Sequence, residues 1–261
     1  MTTTNSSPIG FFDSGIGGIT LLNSIKKILP NEKIIYIADN LYSPYGSLSP
    51  LKIKKRSFQI TGKLISLGCK LIVIACNTAT TNSIHELRKN FNVPFIGVEP
   101  GIKPASLKSI TGTIGVLATK GTLSSSLFSK TNNLHASHIK IIEKEGTGLV
   151  ELIEDNKIND LKTINLLNSY IKPMIDQNAD LLVLGCTHYP LLEPILMPII
   201  KDKMKIVDIG NAVAQQTKKM LLNYKIINSI KNTAKEIYFS TGNVKLLSSF
   251  LKNKDVAKII I

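Results

Sequence analysis

Two cysteines, Cys76 and Cys186, stand in nearly the same local context in two distant parts of the chain. Each follows a run of small or aliphatic residues, and each is followed by polar residues, Asn-Thr in the first case and Thr-His in the second. The two positions are 110 residues apart (186 − 76). A single buried cysteine is often only a small apolar residue. The repeated context instead predicts a site to which two similar halves of the chain each contribute one thiol.

Both thiols are expected at the carboxyl ends of parallel strands, where α/β sheets bind their ligands, and each is expected to begin the following helix. Backbone N–H groups at a helix start favour the thiolate, and such positions lower a cysteine pKa from about 8.5 to roughly 3.5–7.5. The expected resting state is one thiolate facing one thiol. A base on one side and an acid on the other is what inversion of a carbon stereocentre by proton exchange requires.

Polar residues beside the two thiols fit the same chemistry. Asn77, Thr78 and Thr187, with the N–H groups of the helix starts, are candidates for binding substrate carboxylates. Asp13 and His188 are candidates for orienting or activating the thiols. The third cysteine, at position 69, lies between glycine and lysine without such neighbours, and we interpret it as structural.

The elements around the two cysteines indicate an internal duplication. A strand at 9–13, the glycine-rich turn 14–18 and a helix open the chain, and the same order restarts near residue 113. Residues 114–119 resemble 9–14 (114 − 9 = 105), and residues 140–142 resemble 33–35 (140 − 33 = 107). Strands alternate with helices, which favours parallel sheets. We therefore predict an α/β fold with two pseudo-symmetric lobes, each a parallel-sheet sandwich, and an active site in the cleft between them.

The predicted lobes have defined boundaries. Residues 1–98 and 208–261 form the first lobe, and residues 99–207 form the second. A strand and a return are expected within residues 205–210, close to the second crossing between the lobes. The offsets of the repeat end near residue 207, so the remaining chain is expected to rejoin the first lobe.

Composition excludes several classes of function. The formal charge of the 261-residue chain is +14, but the lysines are spread over the sequence and only 6% of residues are aromatic, which argues against a nucleic-acid surface. Residues 1–8 lack the features of a signal peptide, and no apolar run reaches membrane-spanning length. Three cysteines do not form a disulfide framework, so we expect a cytoplasmic enzyme. No cysteine or histidine spacing indicates a metal site, and the glycine spacing of 13–18 does not fit a dinucleotide loop.

Four motifs together resemble those of bacterial glutamate racemases, in the aspartate/glutamate racemase superfamily, and the resemblance covers nearly the whole chain in the same order and spacing. The motifs are Asp13-Ser14-Gly15-Ile16-Gly17-Gly18, Ser43-Pro44-Tyr45-Gly46, Ala75-Cys76-Asn77-Thr78-Ala79-Thr80 and Leu184-Gly185-Cys186-Thr187-His188-Tyr189-Pro190-Leu191. One departure lies at residues 40–43, which read Asn-Leu-Tyr-Ser where the resemblance leads us to expect small polar residues.

The resemblance implies a cofactor-independent racemase that interconverts L- and D-glutamate with two cysteine bases and supplies D-glutamate for peptidoglycan. It implies that Cys76 acts on the D-isomer with help from Asp13, and that Cys186 acts on the L-isomer with help from His188. Glu154 matches a further acid near the second thiol, although Glu151 and Asp155 are alternatives. The implied substrate contacts are Asp13, Ser14, Tyr45, Gly46, Asn77, Thr78, Thr187 and His188. A homodimer, and no membrane partner, are also implied.

Two other hypotheses compete with this one. The same chemistry could act on aspartate or a hydantoin, as elsewhere in the superfamily. The two-lobed chain could instead be a non-enzymatic module that binds a small anion or nucleic acid, in which case its thiols would be dispensable and its binding would weaken steeply with salt.

Overall fold

The computed structural model describes residues 4–230 and 234–261. Residues 1–3 lie outside that range, and they belong to the N-terminal segment in which we predict no signal peptide. Helices and strands alternate from the start of the chain. The first part of the chain contains β1 (Ile9–Asp13), α1 (Gly18–Ile28), β2 (Ile34–Ala38), 3₁₀ turns at Asn40–Tyr42 and Tyr45–Ser47, α2 (Pro50–Ser66), β3 (Leu71–Ile74), α3 (Asn77–Asn90) and β4 (Phe95–Gly97).

The middle of the chain repeats this order and the last part adds to it. The middle contains α4 (Ile102–Lys108), β5 (Thr113–Ala118), α5 (Lys120–Leu123), α6 (Ser126–His135), β6 (Lys140–Glu145), α7 (Leu149–Glu154), α8 (Leu161–Asp176), β7 (Leu181–Gly185), a 3₁₀ turn at Tyr189–Leu192, α9 (Glu193–Ile200) and β8 (Lys205–Ile206). The last part contains α10 (Gly210–Asn223), β9 (Glu236–Ser240), α11 (Val244–Phe250) and β10 (Val256–Lys258).

Within the described residues the strands form two all-parallel sheets, which confirms the predicted α/β class with two lobes. The six-stranded sheet has the order β10-β9-β2-β1-β3-β4, and the four-stranded sheet has the order β6-β5-β7-β8. The segment β2-β1-β3-β4 and the whole of the second sheet have the same order of equivalent strands. This correspondence is the pattern that a duplicated half-molecule produces. The placement of the lobe boundaries at residues 98/99 and 207/208 stays a prediction.

The central strands are buried on both faces because helices cover both sides of each sheet. All residues of β1, β2 and β3 are buried, and so are all residues of β5. Such strands consist of continuous apolar runs instead of alternating ones. Two of the motifs singled out in the sequence follow β1 and β3, and a third follows β7, in which only Leu181 is not fully buried. Their polar side chains therefore emerge only where the strands stop, at the carboxyl edge of each sheet.

Of two expectations about the second half, one is confirmed and one is wrong. The strand and return expected within residues 205–210 are present, since β8 covers Lys205–Ile206 and an irregular segment leads from it to α10, which begins at Gly210. Cys186 does not begin an α-helix, since the residues after it form a 3₁₀ turn at Tyr189–Leu192 that has His188 at its N-cap position. Among the described residues, no helix is both long and apolar enough to cross a bilayer.

Candidate active site

Cys76 lies two residues after β3 and is the N-cap residue of α3, a helix of 14 residues. Its Sγ accepts a hydrogen bond from Ala79 N at 3.4 Å and lies 3.6 Å from Ser14 Oγ. The side chain is buried, with 4% exposure. The expected position of this thiol at a helix start is confirmed.

The lowered pKa that we expected for the Cys76 thiol at this helix start is wrong. Burial, followed by the charge of Asp13, raises the pKa of Cys76 to about 12, although the hydrogen bonds from Ala79 N and Ser14 favour the thiolate. Removing a thiolate from water costs free energy, and the hydrogen bonds from one backbone N–H and one hydroxyl compensate for only part of that cost. Cys76 is therefore a neutral thiol at physiological pH, able to donate a proton.

Cys186 follows β7 and lies beside a histidine that is held by an acid. Its Sγ is 3.8 Å from His188 Nδ1, and His188 Nε2 is 2.7 Å from Glu154 Oε1. Burial by itself lowers the pKa of His188, but the hydrogen bonds to Cys186 and Glu154, together with the charges of Cys186 and Asp13, outweigh it. The pKa of His188 is therefore raised well above its ordinary value, and the ring is a proton donor next to the sulfur.

The structure distinguishes the three acids near residue 154. Glu154 is half-buried and points to His188, whereas Glu151 and Asp155 are exposed. The carboxylate of Asp155 pairs with Lys157 at the surface. Only the first of the three contacts the histidine.

Asp13 connects the two halves of the site. It is the last residue of β1, it is fully buried, and its Oδ2 accepts hydrogen bonds from Gly15 N at 3.2 Å and Gly18 N at 3.1 Å. Its Oδ1 accepts a hydrogen bond from Thr187 Oγ1 at 3.1 Å, across the cleft. The carboxylate is thus fixed by the first lobe and in contact with the second.

The glycine-rich turn is explained by this contact between the lobes. A Cβ atom on Gly17 would lie 2.6 Å from both His188 N and the carbonyl carbon of Thr187, closer than side chains approach. A Cβ on Gly46 would likewise lie 2.8 Å from Cβ of Thr119 in the second lobe. Both glycines permit the backbone of one lobe to approach the other where the cleft closes.

Tyr45 is held in the wall of the cleft by a buried ion pair. Its hydroxyl donates to Asp39 Oδ2 at 2.6 Å, and Asp39 also accepts from Arg56 Nε at 2.9 Å and Arg56 Nη2 at 2.7 Å. The side chains of Arg56 and Asp39 are 5% and 0% exposed. This arrangement positions the Pro-Tyr-Gly loop relative to β2 and α2.

Three threonines from both lobes meet beside the first thiol, and two of them were missed by the sequence analysis. Thr78 Oγ1 lies 2.8 Å from Thr119 Oγ1 and 3.2 Å from Thr122 Oγ1, and the last two are 3.1 Å apart. The repeat offset of 105 carries Ser14 onto position 119 (119 − 105). The duplication therefore contained the signal that would have found Thr119.

The residues predicted for the site line one small cavity between the lobes. Cys76 and Cys186 both face it, together with Ser14, Pro44, Tyr45, Gly46, Asn77, Thr78, Thr119, Val150, Thr187 and His188. Its volume is about 10 Å³, roughly the space of one water molecule. A larger cavity of about 560 Å³ adjoins it and shares Pro44, Gly46, Thr119 and Val150 with it. Asp13 and Glu154 lie behind this lining and act on it through Thr187 and His188.

The third cysteine lies apart from this cavity. Cys69 is 2% exposed, and burial raises its pKa to about 12. Its sulfur lies beside Gly10, and the residue belongs to the same apolar cluster as Leu64, at the opposite end of the sheet from the cleft. In the parts of the chain that the structure describes, no group of three or more His, Cys, Asp or Glu side chains could hold a metal ion.

A two-lobed α/β chain with paired thiols facing one cleft defines a class of racemases, and comparison with known proteins agrees. The family model described as Asp/Glu/Hydantoin racemase matches residues 19–217. The chain belongs to this family and is an isomerase.

Within the family the similarity is to glutamate racemases. The chain is 42% identical over 251 residues to glutamate racemase from Ralstonia pickettii, covering 96% of this chain and 89% of that protein. Among solved structures, glutamate racemase from Bacillus anthracis superposes with a TM-score of 0.87 at 28% identity, covering 98% of both chains. The Escherichia coli enzyme in complex with L-glutamate and the activator UDP-MurNAc-Ala gives 0.85 at 31% identity, covering 97% of this chain and 98% of that one. The function that these relatives define is glutamate racemisation.

The alternative substrates are less well supported. An aspartate racemase homologue from Pyrococcus horikoshii has a TM-score of 0.51 at 14% identity, which is a likeness of fold alone. The non-enzymatic hypothesis is wrong, because the chain belongs to a racemase family and its glutamate racemase relatives cover nearly its full length.

Proposed function

We propose that the enzyme racemises glutamate by a two-base mechanism in which Cys76 and Cys186 face opposite sides of the substrate α-carbon. The observation that carries this proposal is that both sulfurs line the same cavity, one from each lobe. In the L-to-D direction the Cys186 thiolate removes the α-proton, and the Cys76 thiol donates a proton to the other face. The reverse direction exchanges the two roles.

The environments of the thiols support this assignment. Burial and the charge of Asp13 raise the pKa of Cys76 and keep it protonated, as a proton donor must be. On the other side the ring of His188, whose pKa is raised well above its ordinary value, lies 3.8 Å from Cys186 Sγ and places a positive charge beside that sulfur. Glu154 holds that ring in place and favours its charged form.

The polar lining supports glutamate as the ligand. Asn77 Oδ1 is buried without a hydrogen-bond partner among the described residues, and an ammonium group would supply one. The hydroxyls of Ser14, Thr78 and Thr119 line the cavity and can donate to carboxylates. Tyr45 and Gly46 close the cavity from the other side. A cleft of this size admits an amino acid only after the lobes separate, and we propose the adjoining larger cavity as the route.

Several wider expectations belong to the same proposal. We infer that the D-glutamate serves peptidoglycan synthesis, that the enzyme works as a homodimer without a cofactor, and that it acts in the cytoplasm. All three cysteines are free thiols, which is consistent with a reducing compartment. Residues 1–98 with 208–261 and residues 99–207 are the proposed lobes. β9 and β10 extend the six-stranded sheet, which supports this division.

The test is incubation of the purified protein with L-glutamate in D₂O, with circular dichroism to follow racemisation and NMR to follow deuteration at the α-carbon. We expect both without added cofactor. Cys76→Ser and Cys186→Ser should each reduce turnover by at least about 100-fold, since loss of a positioned acid or base typically costs about 10²–10⁴-fold.

Cys69→Ser is the matched control, because it changes a buried thiol outside the cavity. It should retain turnover within about twofold, in line with its distance from the chemistry. If either cavity variant stays near the activity of the unmodified enzyme, the two-thiol mechanism is refuted. L-Aspartate, assayed in parallel, should racemise far more slowly than glutamate.

A further inference from the structure

The carboxylate of Glu154 lies at the end of α7 in the four-stranded lobe, but it accepts hydrogen bonds from both lobes. Its Oε1 is 2.7 Å from His188 Nε2, in its own lobe, and accepts from Ile16 N at 3.2 Å, in the other. Its Oε2 accepts from Asn40 Nδ2 at 3.3 Å. Ser43 Oγ lies at a longer distance, 3.5 Å from Oε1. The acid that holds the histidine is thus itself held by the six-stranded lobe.

The side chain of Asn40 is fixed with its amide N–H₂ toward this acid. Gly242 N donates to Ser240 Oγ at 3.1 Å, so the serine hydroxyl is free to donate its own proton. Its acceptor is Asn40 Oδ1, at 3.0 Å. An ionised carboxylate only accepts hydrogen bonds, so the Asn40 nitrogen must face Glu154, and the amide oxygen is then left to accept from Ser240.

We propose that Asn40 and Ser240 are positioning residues for proton transfer at Cys186. They form a continuous chain of contacts that runs from Ser240, the last residue of β9, through Asn40 and Glu154 to His188 and then to the sulfur. This proposal depends on the two-thiol mechanism proposed above, and it adds residues that do not touch the cavity.

A physical consequence follows from the position of this chain of contacts. Asn40 and Ser240 belong to the lobe with the six-stranded sheet. Glu154, His188 and Cys186 belong to the lobe with the four-stranded sheet. The histidine is therefore fully supported only while the lobes are in contact. Opening of the cleft to admit substrate breaks the contact between Asn40 and Glu154, and closure restores it. Cys186 is prepared for proton transfer when the substrate is enclosed.

The experiment compares Asn40→Ala, Asn40→Asp and Ser240→Ala with the unmodified enzyme, using L-glutamate and D-glutamate deuterated at the α-carbon. The two enantiomers have equal free energies, so any variant lowers kcat/KM equally in both directions. The primary isotope effect is not bound by this symmetry. It reports which of the two proton transfers limits the rate.

We expect kcat/KM to fall about tenfold in Asn40→Ala and about threefold in Ser240→Ala, on the order expected for lost hydrogen bonds near a charged group. The isotope effect should rise toward its full value with deuterated L-glutamate and fall toward one with deuterated D-glutamate, because transfer at Cys186 has become the slow step. Asn40→Asp keeps the shape of the side chain but sets a second carboxylate against Glu154, and it should lose at least as much activity. Melting temperatures identify any variant that fails to fold.

Leu41→Ala and Ser249→Ala are the controls, since both residues are exposed, Leu41 lies in the same 3₁₀ turn as Asn40, and Ser249 lies in α11, the helix that follows β9. They should leave the rate and both isotope effects unchanged. If the folded Asn40 variants keep the isotope effects of these controls, the inference is overturned, while racemisation by the unmodified enzyme still supports the proposed function. If the unmodified enzyme does not racemise glutamate, the failure belongs to the proposed function.

Discussion

The buried ion pair between Arg56 and Asp39 is an interaction whose loss we expect to destabilise the protein strongly. Two hydrogen bonds join the guanidinium to the carboxylate, at 2.9 Å and 2.7 Å, and the side chains are 5% and 0% exposed. Arg56 Nη1 also donates to the carbonyl oxygen of Ile261 at 2.8 Å. The arginine of α2 therefore connects the Pro-Tyr-Gly loop, the end of β2 and the end of the described chain.

The change Arg56→Met keeps much of the side-chain volume and removes the charge. Asp39 would then be a buried carboxylate with two remaining donors, Tyr45 OH at 2.6 Å and Thr241 Oγ1 at 2.8 Å. Loss of one partner of a buried pair typically costs about 3–5 kcal/mol. For a chain of this size each kcal/mol corresponds to about 2–4 °C, so the melting temperature should fall by about 6–20 °C.

The assay is thermal unfolding followed by circular dichroism, with an exposed ion pair on the same helix as the control. Lys54 of α2 pairs with Glu86, and their side chains are 36% and 48% exposed. Lys54→Met should cost no more than about 1 kcal/mol, because water already screens that pair. The double variant Asp39→Asn/Arg56→Met should recover part of the loss, since the neutral amide still accepts from Tyr45 and no charge is left unpaired.

Activity gives a second readout of the same change. Tyr45 lines the cavity, and its hydroxyl is oriented by Asp39. Arg56→Met should therefore raise KM for glutamate at temperatures where the variant is folded. The reasoning is refuted if Arg56→Met melts within about 3 °C of Lys54→Met, a difference on the order of 1 kcal/mol. Burial of the pair would then have no measurable consequence.

Two further predictions follow from the shifted pKa values. Glu154→Gln removes a carboxylate that favours the charged ring of His188, so the pKa of His188, now well above its ordinary value, should fall, and NMR titration of the ring should show deprotonation at lower pH than in the unmodified enzyme. An unshifted titration would show that the Glu154 carboxylate does not raise the pKa of His188. Burial keeps the thiols of Cys69 and Cys76 protonated to about pH 12, whereas the unfolded chain releases these protons near pH 9. The unfolded state then binds fewer protons, so stability should decrease between about pH 8 and pH 10, on the order of 1 kcal/mol for each thiol. Urea unfolding at both pH values should show a smaller decrease in the free energy of unfolding for Cys69→Ala than for the unmodified enzyme. An equal decrease would contradict burial of the Cys69 thiol as a cause.

Much of the site could be predicted from the sequence because its chemistry is placed by strand ends. A buried aliphatic run that stops at Asp13, Cys76 or Cys186 fixes the edge of the sheet at which each side chain emerges. The duplicated order of strands then brings those edges together. These features depend on local periodicity and on offsets along the chain, and both can be read without coordinates.

What could not be predicted depends on contacts between distant segments. The sequence placed Cys76 at a helix start and so favoured a thiolate, but the degree of burial and the nearness of Asp13, which reverse that conclusion, exist only in the folded chain. The departure at residues 40–43 gave no indication that Asn40 would face Glu154, because that contact joins positions 114 residues apart. The helix expected after Cys186 was extrapolated from the helix after Cys76. In the structure the residues after Cys186 form a 3₁₀ turn instead.

The two halves of the site have the same framework but different electrostatics, and the symmetry of the reaction permits this. Cys76 is a helix N-cap beside a carboxylate, and its pKa is raised, whereas Cys186 lies beside a protonated histidine at a 3₁₀ turn. L- and D-glutamate have the same free energy, so the ratio of the forward and reverse kcat/KM values is fixed at one whatever the pKa of either thiol. Thermodynamics therefore fixes the overall equilibrium constant of the two successive proton transfers, but it does not fix the barrier of either transfer. In the proposed mechanism the two strand ends of the duplicated fold face one carbon atom, so each end can have a different partner, Asp13 or His188, without any change in the equilibrium between the two enantiomers.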